Sequence, residues 1–236
     1  MKYLKYSFIL VCVYLLGGLS APLSAFHIEY IPVNSSSKST FPLYEARKTL
    51  ILTTISSYAF SSFPLDRLSV VIDANMVEPR WRMKDQKVLL SNTVSRDSEF
   101  IKLFVHEFAH FVDIYLVTDS LISPDPSKDF YSISWIGTSV KRAGEWMESF
   151  VTGYAATNKY EDFAESFVFY VFHNRSFADM ALKNESLRRK YLFFSEYIFP
   201  REEFTQTDFT LGTLPTYSWD STKIPISLKK YLYSLN

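Results

Sequence analysis

Residues 95–117, SRDSEFIKLFVHEFAHFVDIYLV, place apolar side chains at helical spacing (101, 104, 105, 108, 111, 112 and 115), and Ser95 or Asp97 can cap the start. The pattern is the strongest helical signal in the chain and predicts a helix with a continuous apolar face. In its middle it carries His106, Glu107 and His110, the pentad HEFAH. A carboxylate and two imidazoles among Phe, Val and Ala cost free energy unless each finds a partner. Residues four apart on a helix differ by about 40° in azimuth, so His106 and His110 project side by side and can share one cation. Glu107 stands about 100° round from His106, near enough to act on a water at that cation without being a ligand.

Two neutral imidazoles holding zinc, with a carboxylate as general base on water, is the division of labour of a zinc hydrolase. The competing explanation is coincidence, two histidines sharing a helix face. The apolar flanks weigh against it, because they bury the motif and leave it in need of a cation. The chain holds only four histidines (His27, His106, His110 and His173), and this motif uses two. His173 has no motif partner and reads as structural.

A third ligand separates the zinc hydrolase classes. The HExxHxxGxxH pattern is excluded, because position 113 is Asp and position 116 is Leu. A ligand about 20 residues on, common in other such enzymes, falls near Asp129, a weak candidate on a Pro- and Ser-rich stretch. YAATNKYEDFAESF, residues 154–167, offers better ones. Glu161 and Glu165 are again four apart on a predicted helix; one can bind the metal while the other orients a ligand histidine by hydrogen bonding. Without HEFAH, the same pair reads as a solvated helix face with Glu161 well placed near the N-terminus.

The combination HEFxHxVD, a Tyr seven residues before a Glu, and the run E-x-F-A-E-x-F resembles the peptidase domain of anthrax lethal factor and is similar to the secreted Pro-Pro endopeptidases of that zincin group. The resemblance covers residues 106–113 and 154–167. It implies a zincin-like metallopeptidase fold with an HExxH helix and a second zinc-ligand helix. It also implies that Glu161 is the third zinc ligand, that Tyr154 assists the transition state, and that Glu165 stands behind the ligands. Asp113 matches the family's helix pattern. The interval from His110 to Glu161 is longer than is usual there, which puts extra residues in the 118–140 region.

The N-terminus, MKYLKYSFILVCVYLLGGLSAPLSAFHIEY, reads as a secretory signal peptide: Lys2 and Lys5, an apolar run from Phe8 to Leu19, and Leu23-Ser24-Ala25 as the cleavage site. The alternative is an uncleaved membrane anchor, which Gly17, Gly18 and Pro22 interrupt. Cleavage after residue 25 removes Cys12, the single cysteine, so the exported domain, 26–236, relies on its core and not on disulfides. It also removes two lysines and no acid from a chain of 25 basic and 25 acidic residues, leaving the domain slightly acidic. Such a balance gives no electrostatic footprint for nucleic acid.

Apolar residues make up 47% and aromatics 17%, enough for a well-packed core. Residues 26–42 hold a short β-like run followed by a Ser-rich connector, and strands are predicted at LSVVIDA (68–74) and at WRMKDQKVLLSN (81–92), the last as an edge strand whose Trp81 could shape a pocket. Helices are predicted over 43–60, 95–117, 139–150, 161–173 and 185–199, with a weak one at SLKKYLYSLN and a loop over 118–134. Few strands and several helices make an α+β chain with a small mixed sheet. The expectation is an exported zinc endopeptidase acting on peptide or protein substrates. Its rivals are a zinc-holding exported protein that binds peptides without cleaving them, and a metal-free structural domain.

Overall fold

The computed structural model describes residues 26–32, 41–82, 85–118, 125–215 and 217–235. The expected signal peptide and its cleavage site lie outside the described residues, as does the Ser-rich stretch 33–40. Helices and a small mixed sheet make up the fold. Strands β1 (His27–Ile31), β2 (Ser69–Asp73), β3 (Arg80–Arg82) and β4 (Lys87–Ser91) form one sheet in the order β1-β2-β4-β3. β1, β2 and β4 run parallel, with Ile28, Val70 and Val88 in register, and β3 is antiparallel to β4. Val70, Val71 and Ile72 of β2 are all buried, as a parallel strand covered on both faces requires. Parallel neighbours need a crossover, and α1 (Phe41–Ser56) supplies it between β1 and β2.

Three predicted elements are corrected. The 81–92 strand is two strands: β3 forms the edge, whereas β4 lies between β2 and β3. Trp81's side chain lies outside the described residues. The helix predicted over 139–150 is absent. Trp135 bridges Lys141, Gly144 takes φ +90°, which a helix does not accommodate, and only Met147–Ser149 turns as 3-10 helix. The loop predicted over 118–134 contains α3 (Pro126–Ser134). Pro126 occupies its first turn and the Asp125 carboxylate accepts the Ser127 N–H at 3.0 Å, so the Pro-rich stretch starts a helix.

The predicted HEFAH helix is α2 (Asp97–Thr118), and the ESF-bearing helix is α4 (Lys159–Phe172). They pack against each other, with the Phe108 and Phe167 rings 6.4 Å apart inside a cluster that includes Phe60, Phe199 and Phe204. This packing sets the histidines of α2 opposite the glutamates of α4. α5 (Asn174–Ala181) and α6 (Glu185–Phe193) follow, a π turn at Phe194–Ile198 ends before Pro200, and α7 (Leu228–Ser234) closes the chain onto the core through Tyr231.

The start of α2 is fixed by Arg47 of α1, which is fully buried. Its guanidinium donates to the Asn92 carbonyl at 2.6 Å, to Asn92 Oδ1 at 2.7 Å and to the Val94 carbonyl, and it lies 4.6 Å over the Phe100 ring. Burial lowers its pKa, opposed by Asp97 at 3.6 Å. Replacing Arg47 by Met leaves those acceptors buried without donors. We expect Arg47→Met to lose about 3 kcal/mol of stability in urea unfolding, since each unmet buried acceptor costs about 1–3 kcal/mol.

Candidate metal centre

α2 is buried on nearly every side, so its polar residues need partners within the protein. His106 and His110 stand one turn apart with ring centroids 5.1 Å apart. The Asn158 side chain caps α4 by accepting the N–H groups of Tyr160 (3.0 Å) and Glu161 (3.1 Å), which holds Glu161 in the first turn. Glu161 Oε2 then lies 3.1 Å from His106 Nε2 and 3.4 Å from His110 Nε2. One donor atom from each of the three falls within 4.8 Å of the others, so His106, His110 and Glu161 could together hold a metal ion.

Behind them sits Glu165, wholly buried. Its Oε1 accepts His106 Nδ1–H at 3.0 Å and the Ser221 hydroxyl at 2.7 Å; its Oε2 accepts the Thr152 hydroxyl at 2.7 Å and the Ser221 N–H at 2.9 Å. Burial raises the Glu165 pKa, but these donors outweigh it and the carboxyl titrates below its usual range. An ionised Glu165 accepts a hydrogen bond from the His106 Nδ1–H, so in the neutral imidazole it is Nε2 that carries the lone pair. That lone pair points at Glu161, itself an acceptor held below the usual carboxylate range by the two histidines against the opposing effect of burial. Two acceptors at 3.1 Å repel unless a cation stands between them, either a proton or a metal. The donor set therefore fits a divalent ion with imidazole and carboxylate preferences.

A cleft of about 350 Å³ opens over this cluster, lined by His106, Glu107, His110, Asp113, Tyr154 and Glu161, together with Pro79 and Arg80 at the sheet edge. Tyr154 lies with its ring 5.9 Å from that of His106, nearly parallel. Burial and the neighbouring Glu161 carboxylate push its phenol well up, so at neutral pH it is a hydrogen-bond donor. Asp113 is buried; its Oδ2 accepts the Tyr131 hydroxyl and burial lifts its pKa to about 6.

The other candidates lie elsewhere. Asp129 is exposed on α3 and belongs neither to the cluster nor to the cleft wall. His173 is buried with Nδ1 2.8 Å from the Thr210 hydroxyl, and burial drops its pKa to about 3, as suits a core histidine. Thr152 and Ser221 escaped the sequence reading because a lone hydroxyl residue carries no spacing signal. Ser221 meets Glu165 only through the fold.

Each of His106→Ala, His110→Ala and Glu161→Ala should abolish tight metal binding, measured by metal analysis after dialysis, while Asp129→Ala should leave it intact. His106, buried but hydrogen-bonded to Glu161 and Glu165, has its pKa carried well above 6.5. A metal must displace that proton, so affinity should fall as pH falls and still be rising with pH above 7, where an ordinary histidine is already neutral. Chelator competition across pH checks this; a profile already flat above pH 7 contradicts it.

Comparison of the chain with protein-family models, with curated proteins and with solved structures finds no match.

Proposed function

We propose that the chain is an exported zinc-dependent endopeptidase with a zincin-like fold, in which His106, His110 and Glu161 hold the metal. The observation that carries this reading is that Glu107 and Tyr154 line the same cleft as the three donors. Holding a metal needs neither residue, whereas hydrolysing an amide needs a base and an oxyanion donor. That distinction also weighs against a peptide binder that keeps its metal without catalysis.

When bound, zinc supplies a Lewis acid that polarises the peptide carbonyl and lowers the pKa of a water to about 7. The residues of the chain do the rest. The Glu107 carboxylate takes a proton from the water as its oxygen attacks the carbonyl carbon, and returns that proton to the nitrogen as the C–N bond breaks. The Tyr154 hydroxyl donates a hydrogen bond to the carbonyl oxygen as negative charge gathers on it. β3 is the outer strand of the sheet, and the cleft wall begins at Pro79 and Arg80 at its start. An extended peptide can therefore add beside Arg80–Arg82 and bring its backbone across the site.

Tyr154→Phe should keep fold and metal, leave KM little changed and lower kcat by about 10²–10³, the usual cost of one oxyanion donor. Glu107→Gln should also keep metal but lose more activity. Steady-state kinetics on peptides selected from a diverse library, with metal content measured in parallel, provide the test. No cleavage of any peptide by metal-loaded protein sinks the proposal. Near-normal turnover by a folded Tyr154→Phe protein removes that residue from the mechanism.

A further inference from the structure

The C-terminal segment 217–224 runs across the back of the metal centre and makes three sets of bonds there. The carbonyls of Ser218 and Trp219 accept the N–H groups of Gly153 (2.9 Å) and Tyr154 (2.7 Å). Gly153 lies so close beneath that a Cβ there would stand 2.1 Å from the Tyr217 hydroxyl and 2.6 Å from the Trp219 ring. Ser221 gives Glu165 two hydrogen bonds, its N–H to Oε2 and its hydroxyl to Oε1, the oxygen that also accepts His106 Nδ1–H. Beyond it, the Lys102 ammonium donates to the carbonyls of Ser221 (3.2 Å), Thr222 (2.5 Å) and Ile224.

Lys102 is 1% exposed and sits on α2 one turn before His106. Its three N–H donors meet three carbonyls of one tight turn, which the Asp220 carboxylate also closes by accepting the Thr222 N–H at 2.7 Å. The histidine helix thus grips the same turn that grips Glu165, closing a ring of contacts: Lys102, Ser221, Glu165, His106 and back along α2. A segment retained only to cover the core would be secured by the Lys102 contacts and the pairing with residues 153–154. The two bonds from Ser221 instead end on the one carboxylate that orients His106.

We propose that this strap is a working part of the metal centre. Ser221 is a positioning residue that fixes the Glu165 carboxylate so that His106 presents Nε2 to the ion, and Lys102 locks the turn carrying Ser221. The inference rests on the metal reading above. A ligand histidine whose carboxylate partner is disturbed typically loses about 10–100-fold in metal affinity. Ser221→Ala removes the hydroxyl and keeps the backbone N–H, so the strap stays attached while the Oε1 bond is lost.

The experiment is chelator competition for zinc on the full folded chain, comparing the parent with Ser221→Ala, Ser221→Thr and Lys102→Met, at a temperature where circular dichroism shows each folded. A ¹⁵N-histidine NMR spectrum of the metal-free proteins reports the His106 Nδ1 proton. The expected result is a 10–100-fold weaker zinc affinity for Ser221→Ala, faster exchange of the His106 Nδ1 proton, and recovery towards the parent in Ser221→Thr. Lys102→Met should weaken zinc in the same direction, and it decides the matter if Ser221→Ala does not fold. A folded Ser221→Ala, or in its absence a folded Lys102→Met, with parent zinc affinity and parent proton exchange overturns the inference and leaves the proposed function standing. A parent protein that takes up no zinc overturns both.

Discussion

A carboxylate without access to water must have its lone pairs met by donors within the protein, and Glu165 is the group around which this structure meets that demand. Its four hydrogen bonds come from α2, from the loop before α4 and from the C-terminal segment, three parts of the chain far apart in sequence. Satisfying one buried charge therefore joins the histidine helix, the glutamate helix and the strap. The same bonds settle which nitrogen of His106 keeps its proton when the imidazole is neutral, and so leave Nε2 to face Glu161. Removing any one donor leaves a charged oxygen short of a partner, a cost of about 1–3 kcal/mol in a site with little room to relax.

The phenylalanine packing between α2 and α4 supplies the rigidity that such a site needs. Ring contacts from Phe60 through Phe108 to Phe167 and Phe199 hold the two helices at fixed separation. Donor atoms on different helices are held by this packing, since no covalent link joins them. Trp135 Nε1 and Lys190 Nζ, both donating to the fully buried Asp162 at 2.8 and 3.0 Å, pin a second face of α4, about 100° round from Glu161. Glu161 and Asp162 are adjacent, one turned to the cleft and the other to the core. A rotation of the helix would unseat both at once.

Much of the site was legible because helical spacing converts directly into shared direction. His106 and His110, and again Glu161 and Glu165, are four apart, and each pair faces one way. Which glutamate joins the histidines in the candidate metal cluster and which stands behind was open from spacing alone; the Asn158 cap and the Thr152 and Ser221 donors separate the two in space. What escaped the sequence was set by tertiary contact. The 81–92 run carries enough β-formers for one strand but folds as a hairpin, and the 139–150 helix gives way to a bridge with Gly144 in the left-handed region. Lys102 reads as a charge on an apolar helix until three carbonyls from more than a hundred residues away are seen around it.

The central claim, that His106, His110 and Glu161 converge on one zinc ion, is tested most directly by an anomalous difference map at the zinc edge from crystals of the zinc-loaded protein. The account predicts one peak between the two imidazole Nε2 atoms and the Glu161 carboxylate, about 2.0–2.2 Å from each, with Glu165 still bonded to His106 Nδ1. A crystal with no peak there, or with zinc bound only at surface side chains while a proton joins His106 to Glu161, would contradict it.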